Sequence, residues 1–186
     1  MAAGERWQLK KTVVLVGMMG AGKTAVGKAL AAMLDVPFLD SDVEIEAAAN
    51  MTIAEIFARD GEAFFRDRET QVIDRLLDGK SGILSAGGGA FLSDRNRALI
   101  GQKGISVWLK AELKLLWGRV KHKDTRPLLR TDDPYKTLKA LYETRLPYYQ
   151  MADLAVPARS EYTIEQMAET VRNALAERPD VLEKVK

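Results

Sequence analysis

Apolar and polar positions alternate along this chain in blocks that predict strands and helices in turn. Four apolar residues after Thr12, three of them β-branched, predict a short buried strand over Thr12–Val16. Apolar residues at helical spacing then predict a helix over Lys23–Leu34, which the segment Asp35–Pro37 ends. Because this alternation continues, we expect an α/β fold with a parallel sheet covered by helices on both faces.

The remaining elements follow from the same periodicities and from turn and capping signals. Further strands are predicted over residues 38–40, 82–85, 105–109 and 154–156. Further helices are predicted over residues 41–50, 52–61, 62–77, 93–100, 111–120 and 134–146, with a last helix from 163. Ser41 and Thr52 each stand three residues before a glutamate, the spacing of a capping box, so both are predicted caps. Asp132 or Asp133 is expected to cap the helix that begins at Pro134. We expect residues 1–11 to be a solvated leader and residues 178–186 to be frayed.

Composition narrows the class of protein. With 186 residues, 47% of them hydrophobic and 29% charged, the chain is expected to form one soluble globular domain. A net charge of +2 without a basic stripe argues against nucleic-acid binding, and no apolar run reaches the length of a membrane span. Cysteine is absent and His122 is the one histidine, which excludes disulfides, thiolate sites and multi-histidine metal sites. The leader lacks the apolar segment of a secretory signal, so we expect a cytoplasmic protein.

The most specific motif is Gly17-Met18-Met19-Gly20-Ala21-Gly22-Lys23-Thr24, which lies between the first predicted strand and the first predicted helix. This is the G-x-x-x-x-G-K-T pattern of a phosphate-binding loop (P-loop) in its required context. Glycines let the backbone N–H groups point inward at a phosphate, and the helix adds the positive end of its dipole. Lys23 is expected to reach the outer phosphates and Thr24 to ligate Mg²⁺. The alternative is an ordinary glycine-rich turn with a surface lysine.

Two carboxylates, Asp40 and Asp42, end the second predicted strand. Side chains two residues apart in an extended segment share a face, so both could face the P-loop. One could hold the water shell of Mg²⁺, and the other could accept a proton from an attacking hydroxyl. The alternative is that Ser41 caps a helix and both acids are solvated in its first turn.

Several other positions are candidates for binding. Three consecutive glycines stand at Gly87–Gly89. Such a run is expected where the backbone needs a positive φ or comes close to a ligand, and the alternative is a flexible loop. Arg66 is either in a surface pair with Glu69 or a ligand-binding residue, and Arg145 is either on a solvated helix face or a binding residue. The segment 121–133 is either a mobile loop or a lid. The default for Phe57, Phe64 and Phe65 is core packing, and for His122 a solvated loop position.

Together these residues resemble the shikimate kinase family of small P-loop kinases, within the nucleoside-monophosphate-kinase superfamily. The stretches that carry the resemblance stand in family order over about residues 12–156. They are Gly17–Gly27, Asp40–Asp42, Gly61-Glu62 with Phe65-Arg66 and Glu69, Gly87–Gly89, Arg126–Leu129, and Arg145 with Tyr148 and Ala152-Asp153. The P-loop alone marks only a large superfamily, whereas the combination is far more specific.

The resemblance implies phosphoryl transfer from ATP to the 3-hydroxyl of shikimate, on a P-loop NTPase fold with a five-stranded parallel sheet in the order 2-3-1-4-5. The implied catalytic residues are Asp42 as the base, Lys23 and Arg126. The implied ATP contacts are Gly20, Ala21, Gly22, Lys23, Thr24, Ala25, Arg119 and Arg126. The implied shikimate contacts are Asp42, Phe57, Phe65, Arg66, Glu69, Gly87, Gly88, Gly89, Pro127, Leu128 and Arg145. Thr24 and, through water, Asp40 are the implied holders of Mg²⁺.

Within this set, Arg66 and Arg145 resemble the pair that clamps the shikimate carboxylate, Arg119 the residue near adenine, and Arg126 a lid residue. Two other functions stay open: a related polyol-acid kinase such as a gluconate kinase, and a nucleotide-binding regulator without kinase activity. We expect a single domain over 1–186, with a leader (1–11), a substrate-binding region (about 41–70) and a lid (about 121–133). We also expect a monomer without nucleic-acid or membrane partners.

Overall fold

The computed structural model describes residues 4–121 and 130–186, so the predictions at His122, Arg126, Pro127 and Leu128 lie outside the described residues. The strands are β1 (Arg6–Leu9), β2 (Thr12–Val16), β3 (Phe38–Asp40), β4 (Ile83–Ser85), β5 (Gly104–Lys110), β6 (Leu154–Pro157) and β7 (Leu182–Val185). The helices are α1 (Lys23–Leu34), α2 (Ser41–Ala49), α3 (Ile53–Leu77), α4 (Asp94–Lys103), α5 (Leu113–Val120), α6 (Pro134–Tyr149) and α7 (Ile164–Ala176), with a 3-10 turn at Ala90–Leu92.

A five-stranded parallel sheet in the order β3-β4-β2-β5-β6 forms the centre of the molecule. Leaving β1 aside, this is the implied order 2-3-1-4-5, so that prediction is confirmed. In the central strand β2 all five residues are buried, and Val14 lies opposite Leu84 on one side and Ser106 on the other. Helices cover the sheet, with α1 against α7 and α3 against α4. A strand buried on both faces needs apolar residues at every position, which explains the continuous run in the sequence.

Most of the local signals for helix ends are correct. Thr52 caps α3 by accepting a hydrogen bond from the Glu55 backbone N–H at 3.1 Å, and Asp133 caps α6, which begins at Pro134. At Gly61 the backbone leaves the helical region (φ 85°, ψ 172°), so α3 consists of two helical parts that meet at a kink. The end predicted for α6 at 146 is wrong. The helix continues past Pro147 because Tyr149, only 1% exposed, packs into the core.

The cap predicted for α2 is also wrong. Asp40, not Ser41, caps this helix, since its Oδ1 accepts hydrogen bonds from the backbone N–H groups of Asp42 (2.9 Å) and Val43 (3.3 Å). Ser41 is fully buried, and its hydroxyl oxygen accepts a hydrogen bond from the Gly87 N–H at 3.1 Å. The capping-box spacing pointed to Ser41 alone, and the hydrogen bond from the Gly87 loop occupies its hydroxyl and leaves the cap to Asp40.

The expectations for both ends of the chain are corrected as well. β1 and β7 pair as an antiparallel two-stranded sheet, with Leu9 opposite Leu182. Trp7 lies within 5.6 Å of the Arg172 guanidinium and 5.9 Å of the Lys184 ammonium, and Leu182 joins the main core. Short segments far apart in sequence carry no periodic signal of such pairing, because their contact depends on the tertiary fold and not on neighbouring residues.

A small second core lies between α2 and α3, mostly within the predicted substrate-binding region 41–70. It consists of the buried side chains Ile45, Ile56, Phe65 and Val72. This cluster gives the kinked helix its own support, separate from the main core around the sheet. Among residues 4–121 and 130–186, no helix has both the length and the apolar composition needed to cross a membrane.

Candidate active site

A cleft of about 1420 Å³ opens at the carboxyl ends of the parallel strands. One wall is the P-loop, the opposite wall is formed by α2, α3 and the triple-glycine loop, and the segment after β6 borders the remaining side. Ligands of open parallel sheets bind at this edge. The cleft is lined by these residues that the sequence predicted: Gly20, Ala21, Gly22, Lys23, Thr24, Ala25, Asp40, Asp42, Phe57, Phe65, Arg66, Gly87, Gly88, Gly89, Arg119 and Arg145.

The P-loop has the backbone form that its glycines suggest. Gly20 (φ 83°) and Gly22 (φ 93°) lie in the left-handed region, and α1 begins directly after Gly22. At Gly20 a Cβ atom would also lie 2.8 Å from a methyl group of Val120, so only glycine fits there. The Lys23 ammonium donates to the carbonyl oxygens of Gly17 (2.7 Å) and Met18 (3.2 Å) across the loop. The loop and the helix N-terminus together form an anion-binding site.

Asp40 and Asp42 both line the cleft, as predicted, but they have different surroundings. Asp40 is tied to the backbone as a helix cap, whereas Asp42 faces the triple-glycine loop. Burial raises the pKa of the Asp42 carboxyl, and the charge of Asp40 raises it further, while Lys23 and Arg66 act in the opposite direction. The raised pKa makes the Asp42 carboxylate a stronger proton acceptor than an ordinary aspartate.

The triple glycine is explained by close approach. None of the three has a positive φ, so their conformation alone would allow other residues. A Cβ atom at Gly87 would lie 2.7 Å from Oδ1 of Asp42, one at Gly88 2.8 Å from Nη1 of Arg145, and one at Gly89 2.5 Å from Nη2 of Arg66. Each glycine thus makes room for a different charged side chain.

Arg66 is in the predicted pair with Glu69, but the pair is not a surface one. Its Nη1 donates to both carboxylate oxygens of Glu69, at 3.0 and 3.2 Å, and Glu69 is 1% exposed. Burial raises the pKa of the Glu69 carboxyl and Arg66 opposes that shift. The Arg66 guanidinium thus has two neighbours: its Nη1 is held by Glu69, and its Nη2 lies against Gly89 of the triple-glycine loop.

Arg145 lies in α6 and is 8% exposed, which rules out a solvated helix face. In the described part of the chain no carboxylate lies within ion-pair distance of it. Tyr149, one helical turn later, is buried and donates its hydroxyl to the Gly88 carbonyl at 2.7 Å. Tyr149 was not among the predicted residues, since the family resemblance included Tyr148, although the i, i+4 spacing from Arg145 places Tyr149 on the same helix face.

Other positions complete the nucleotide side of the cleft. Arg119 donates from Nη1 to the Gly20 carbonyl at 2.9 Å, so it touches the P-loop, while its position near adenine stays a prediction. Arg159, Tyr162 and Thr163, after β6, line the cleft and were not predicted. A polar segment following the last parallel strand was the available signal for them. Phe57 is 36% exposed in the cleft wall, so its default assignment to the core is wrong, whereas Phe65 is buried.

The central sheet order, the P-loop and a basic carboxylate facing it define a small-molecule kinase of the P-loop class. The family model described as Shikimate kinase matches residues 19–176, which is most of the chain. This chain belongs to the shikimate kinase family.

Individual relatives agree with this assignment. The shikimate kinase of Ruegeria pomeroyi is 67% identical over 175 residues, covering 94% of this chain and 90% of that protein. The solved structure of the shikimate kinase from Acinetobacter baumannii in complex with shikimate has a TM-score of 0.84 at 36% identity, covering 91% of this chain and 94% of that one. A gluconokinase from Sinorhizobium meliloti has a TM-score of 0.63 at 18% identity, covering 91% and 94%, which supports the fold alone.

Proposed function

We propose that this protein transfers the γ-phosphate of ATP to the 3-hydroxyl of shikimate, giving shikimate 3-phosphate and ADP in the route to chorismate and the aromatic amino acids. The observation that carries the proposal is that three charged side chains each lie against one glycine of the triple-glycine loop: Asp42 at Gly87, Arg145 at Gly88 and Arg66 at Gly89. One proton acceptor and two guanidinium groups therefore surround a single loop. That set matches an acceptor with one carboxylate and several hydroxyl groups.

The acceptor half of the reaction follows from these residues. Arg66 and Arg145 bind the shikimate carboxylate, because guanidinium groups and carboxylates form paired, charge-assisted hydrogen bonds. The Gly88 N–H donates to a ring hydroxyl, and the hydrogen bond from the Tyr149 hydroxyl to the Gly88 carbonyl holds the next peptide of the same loop in place. Oδ1 or Oδ2 of Asp42 then accepts the proton of the attacking 3-hydroxyl. Phe57 and Phe65 line the same pocket. Glu69, implied by the resemblance as a shikimate contact, is buried in its pair with Arg66 and is not among the residues that line the cleft.

The donor half is the P-loop. Its backbone N–H groups and Lys23 bind the β- and γ-phosphates of ATP, while Arg119 packs near the base. Mg²⁺ neutralises phosphate charge when it is bound. Within residues 4–121 and 130–186 no group of three or more His, Cys, Asp or Glu residues forms a metal site. Thr24 and Asp40 nevertheless suit an ion that arrives with ATP, since Oδ1 of Asp40 serves the helix cap and the second oxygen remains for a metal-bound water.

From the family resemblance we also propose that Arg126 contributes to phosphate binding and that Pro127 and Leu128 contribute to shikimate binding, although all three lie outside the described residues. The role of the segment 121–133 as a lid stays a prediction. The protein acts as a cytoplasmic monomer on small molecules, without nucleic-acid or membrane partners. Analytical ultracentrifugation with and without both substrates tests the monomer, and a single species of about twice the chain mass would contradict it.

The test of the proposed function is an ADP-release assay with MgATP and three acceptors: shikimate, quinate and gluconate. We expect turnover with shikimate to exceed that with either other acid by at least a hundredfold, because a polar pocket rejects acceptors that leave its groups unpaired. Preference for gluconate would favour the related polyol-acid kinase. Nucleotide binding without turnover of any acceptor would favour the regulator.

Gly88→Ala is expected to weaken shikimate binding without unfolding the protein. The new methyl group would meet only the end of the flexible Arg145 side chain, so that guanidinium moves and the fold survives. Loss of one charge-assisted hydrogen bond, about 1.5–3 kcal/mol, lowers kcat/KM for shikimate about ten- to a hundredfold. The control is Gly101→Ala in α4, where a Cβ would meet nothing within 4 Å. A large fall in melting temperature for Gly88→Ala alone would contradict this account.

Asp40→Asn is expected to lower the pKa of Asp42. Asparagine still caps α2, but the negative charge that raises the pKa of the Asp42 carboxyl is removed. Carboxyl ¹³C shifts followed by NMR in the ligand-free protein measure this titration directly. The Mg²⁺ concentration that half-saturates the enzyme should rise in the same variant. An unchanged Asp42 titration would show that the two charges do not interact.

A further inference from the structure

Asn96 is a fully buried polar residue near the start of α4 that does not line the cleft. Its side-chain Nδ2 donates to the Ala90 carbonyl at 2.9 Å and contacts Oε1 of Glu69 at 3.5 Å. Its Oδ1 accepts from the Thr70 hydroxyl at 2.7 Å. Burying an amide is costly unless its groups are paired, and here both ends of the amide have partners.

These partners belong to the two sides of the acceptor pocket. Ala90 directly follows the triple glycine, and Glu69 and Thr70 lie on α3 one turn after Arg66. The Thr70 hydroxyl also lies 3.1 Å from the Arg66 carbonyl. Asn96 therefore spans from the glycine loop to the helix that carries Arg66, at the point where Gly89 and Arg66 come closest.

We propose that Asn96, with Thr70, is a positioning residue for shikimate binding: its amide sets the spacing between the Arg66 guanidinium and the Gly89 backbone and orients the Glu69 carboxylate that holds Arg66. This inference rests on the proposed role of Arg66 as a ligand of the substrate carboxylate. Asn96 itself touches no substrate.

The side-chain amide of Asn96 also affects whether the Glu69 carboxyl is ionised. In the described part of the chain, the charged groups that face this carboxylate are Arg66 and Asp42, of opposite sign. Burial and Asp42 raise the pKa of Glu69, whereas Arg66 and the hydrogen bond from Asn96 lower it. Asn96 thus favours the ionised Glu69 that pairs with Arg66. A packing residue alone would be apolar, because an apolar side chain fills the same space without desolvating an amide.

The test compares Asn96→Asp and Thr70→Val with wild type. Asn96→Asp removes both donated hydrogen bonds and places a charge beside Glu69, and Thr70→Val removes the donor to Asn96. We expect each to raise the KM for shikimate about tenfold, since a displacement on the order of 1 Å in a binding group can cost about a hundredfold. The KM for ATP should stay within about twofold and kcat within about threefold of wild type. Thr70→Ser, which restores the hydroxyl, should return the KM for shikimate to the wild-type value.

A pH profile supplies a readout that loss of packing would not change. In Asn96→Asp the acid limb of kcat/KM for shikimate should move to higher pH, because Glu69 gains a proton more easily. The matched control is Ser106→Ala in β5, which removes two partly buried hydrogen bonds between the serine hydroxyl and Asp153 and costs stability without touching the cleft. It should leave both KM values unchanged.

The outcomes separate this inference from the proposed function. Unchanged KM for shikimate in Asn96→Asp and Thr70→Val, with Arg66→Met still impaired, would overturn the positioning role and leave the function standing. Equal rises in the KM for ATP and for shikimate would also overturn it. An Arg66→Met enzyme with wild-type KM for shikimate would instead remove the proposed role of Arg66 itself.

Discussion

Replacing Asp42 with asparagine is expected to lower kcat by a factor of about 10²–10⁴, the usual contribution of a general base. Asparagine has nearly the same shape, so it fits beside Gly87, and the P-loop is untouched. ATP affinity, measured by isothermal titration calorimetry, should therefore stay within about twofold, because Asp42 serves the acceptor and not the nucleotide.

The pH dependence of turnover sharpens this expectation. Because burial and Asp40 raise the pKa of Asp42, the wild-type rate should begin to fall at a pH above the usual range of an aspartate as the solution is acidified. In Asp42→Asn that limb should disappear, since asparagine does not titrate. Asp67→Asn, an exposed change on α3, is the matched control and should behave as wild type. Near-normal kcat in Asp42→Asn would rule out the base assignment.

Replacing Arg145 with methionine is expected to lower kcat/KM for shikimate by a hundredfold or more. Two charge-assisted hydrogen bonds to a carboxylate, at about 1.5–3 kcal/mol each, are lost together. Methionine keeps much of the aliphatic stem, so packing around the helix changes little. Because Arg145 has no carboxylate partner among the described residues, its removal leaves no buried charge behind, and thermal stability should stay close to that of wild type.

Arg66→Met supplies the contrast. It should also weaken shikimate binding, but it removes the partner of a carboxylate that is 1% exposed, so stability should fall as well. Thermal unfolding and the KM values for both substrates measure the difference. Equal stability losses in the two variants would contradict the pairing described here, and equal losses of ATP and shikimate binding would indicate misfolding.

The local motifs could be predicted because each is formed by neighbours in sequence. The P-loop needs only a strand, a glycine pattern and a helix start, and all three stand within Thr12–Leu34. The strands of the parallel sheet were predicted within one residue at their ends, because short runs rich in apolar residues, such as Val13–Val16, stand between turn signals. The order of the strands came from the resemblance to the family, since it is a long-range property.

Other predictions failed where distant segments compete for one residue. Ser41 and Asp40 both suit a helix start, and the buried hydrogen bond from Gly87 to Ser41 leaves the cap to Asp40. The leader and the frayed end turned out to be paired strands, because β1 and β7 are joined by contacts that span almost the whole chain. Tyr149 was missed because it lies beyond 146, where Pro147 was expected to end the helix, so its place on the Arg145 face of α6 was not considered.

By itself, the sequence determined the alternation of strands and helices, the phosphate-binding loop, and a set of arginines, acids and glycines suited to a small acidic acceptor. It left open why three glycines stand together. Only the tertiary structure decided that: each glycine lacks a Cβ because the space is taken by Asp42, Arg145 or Arg66, which arrive from α2, α6 and α3. Close approach of this kind depends on how helices pack across the cleft, and the spacing of neighbouring residues does not predict packing between distant segments.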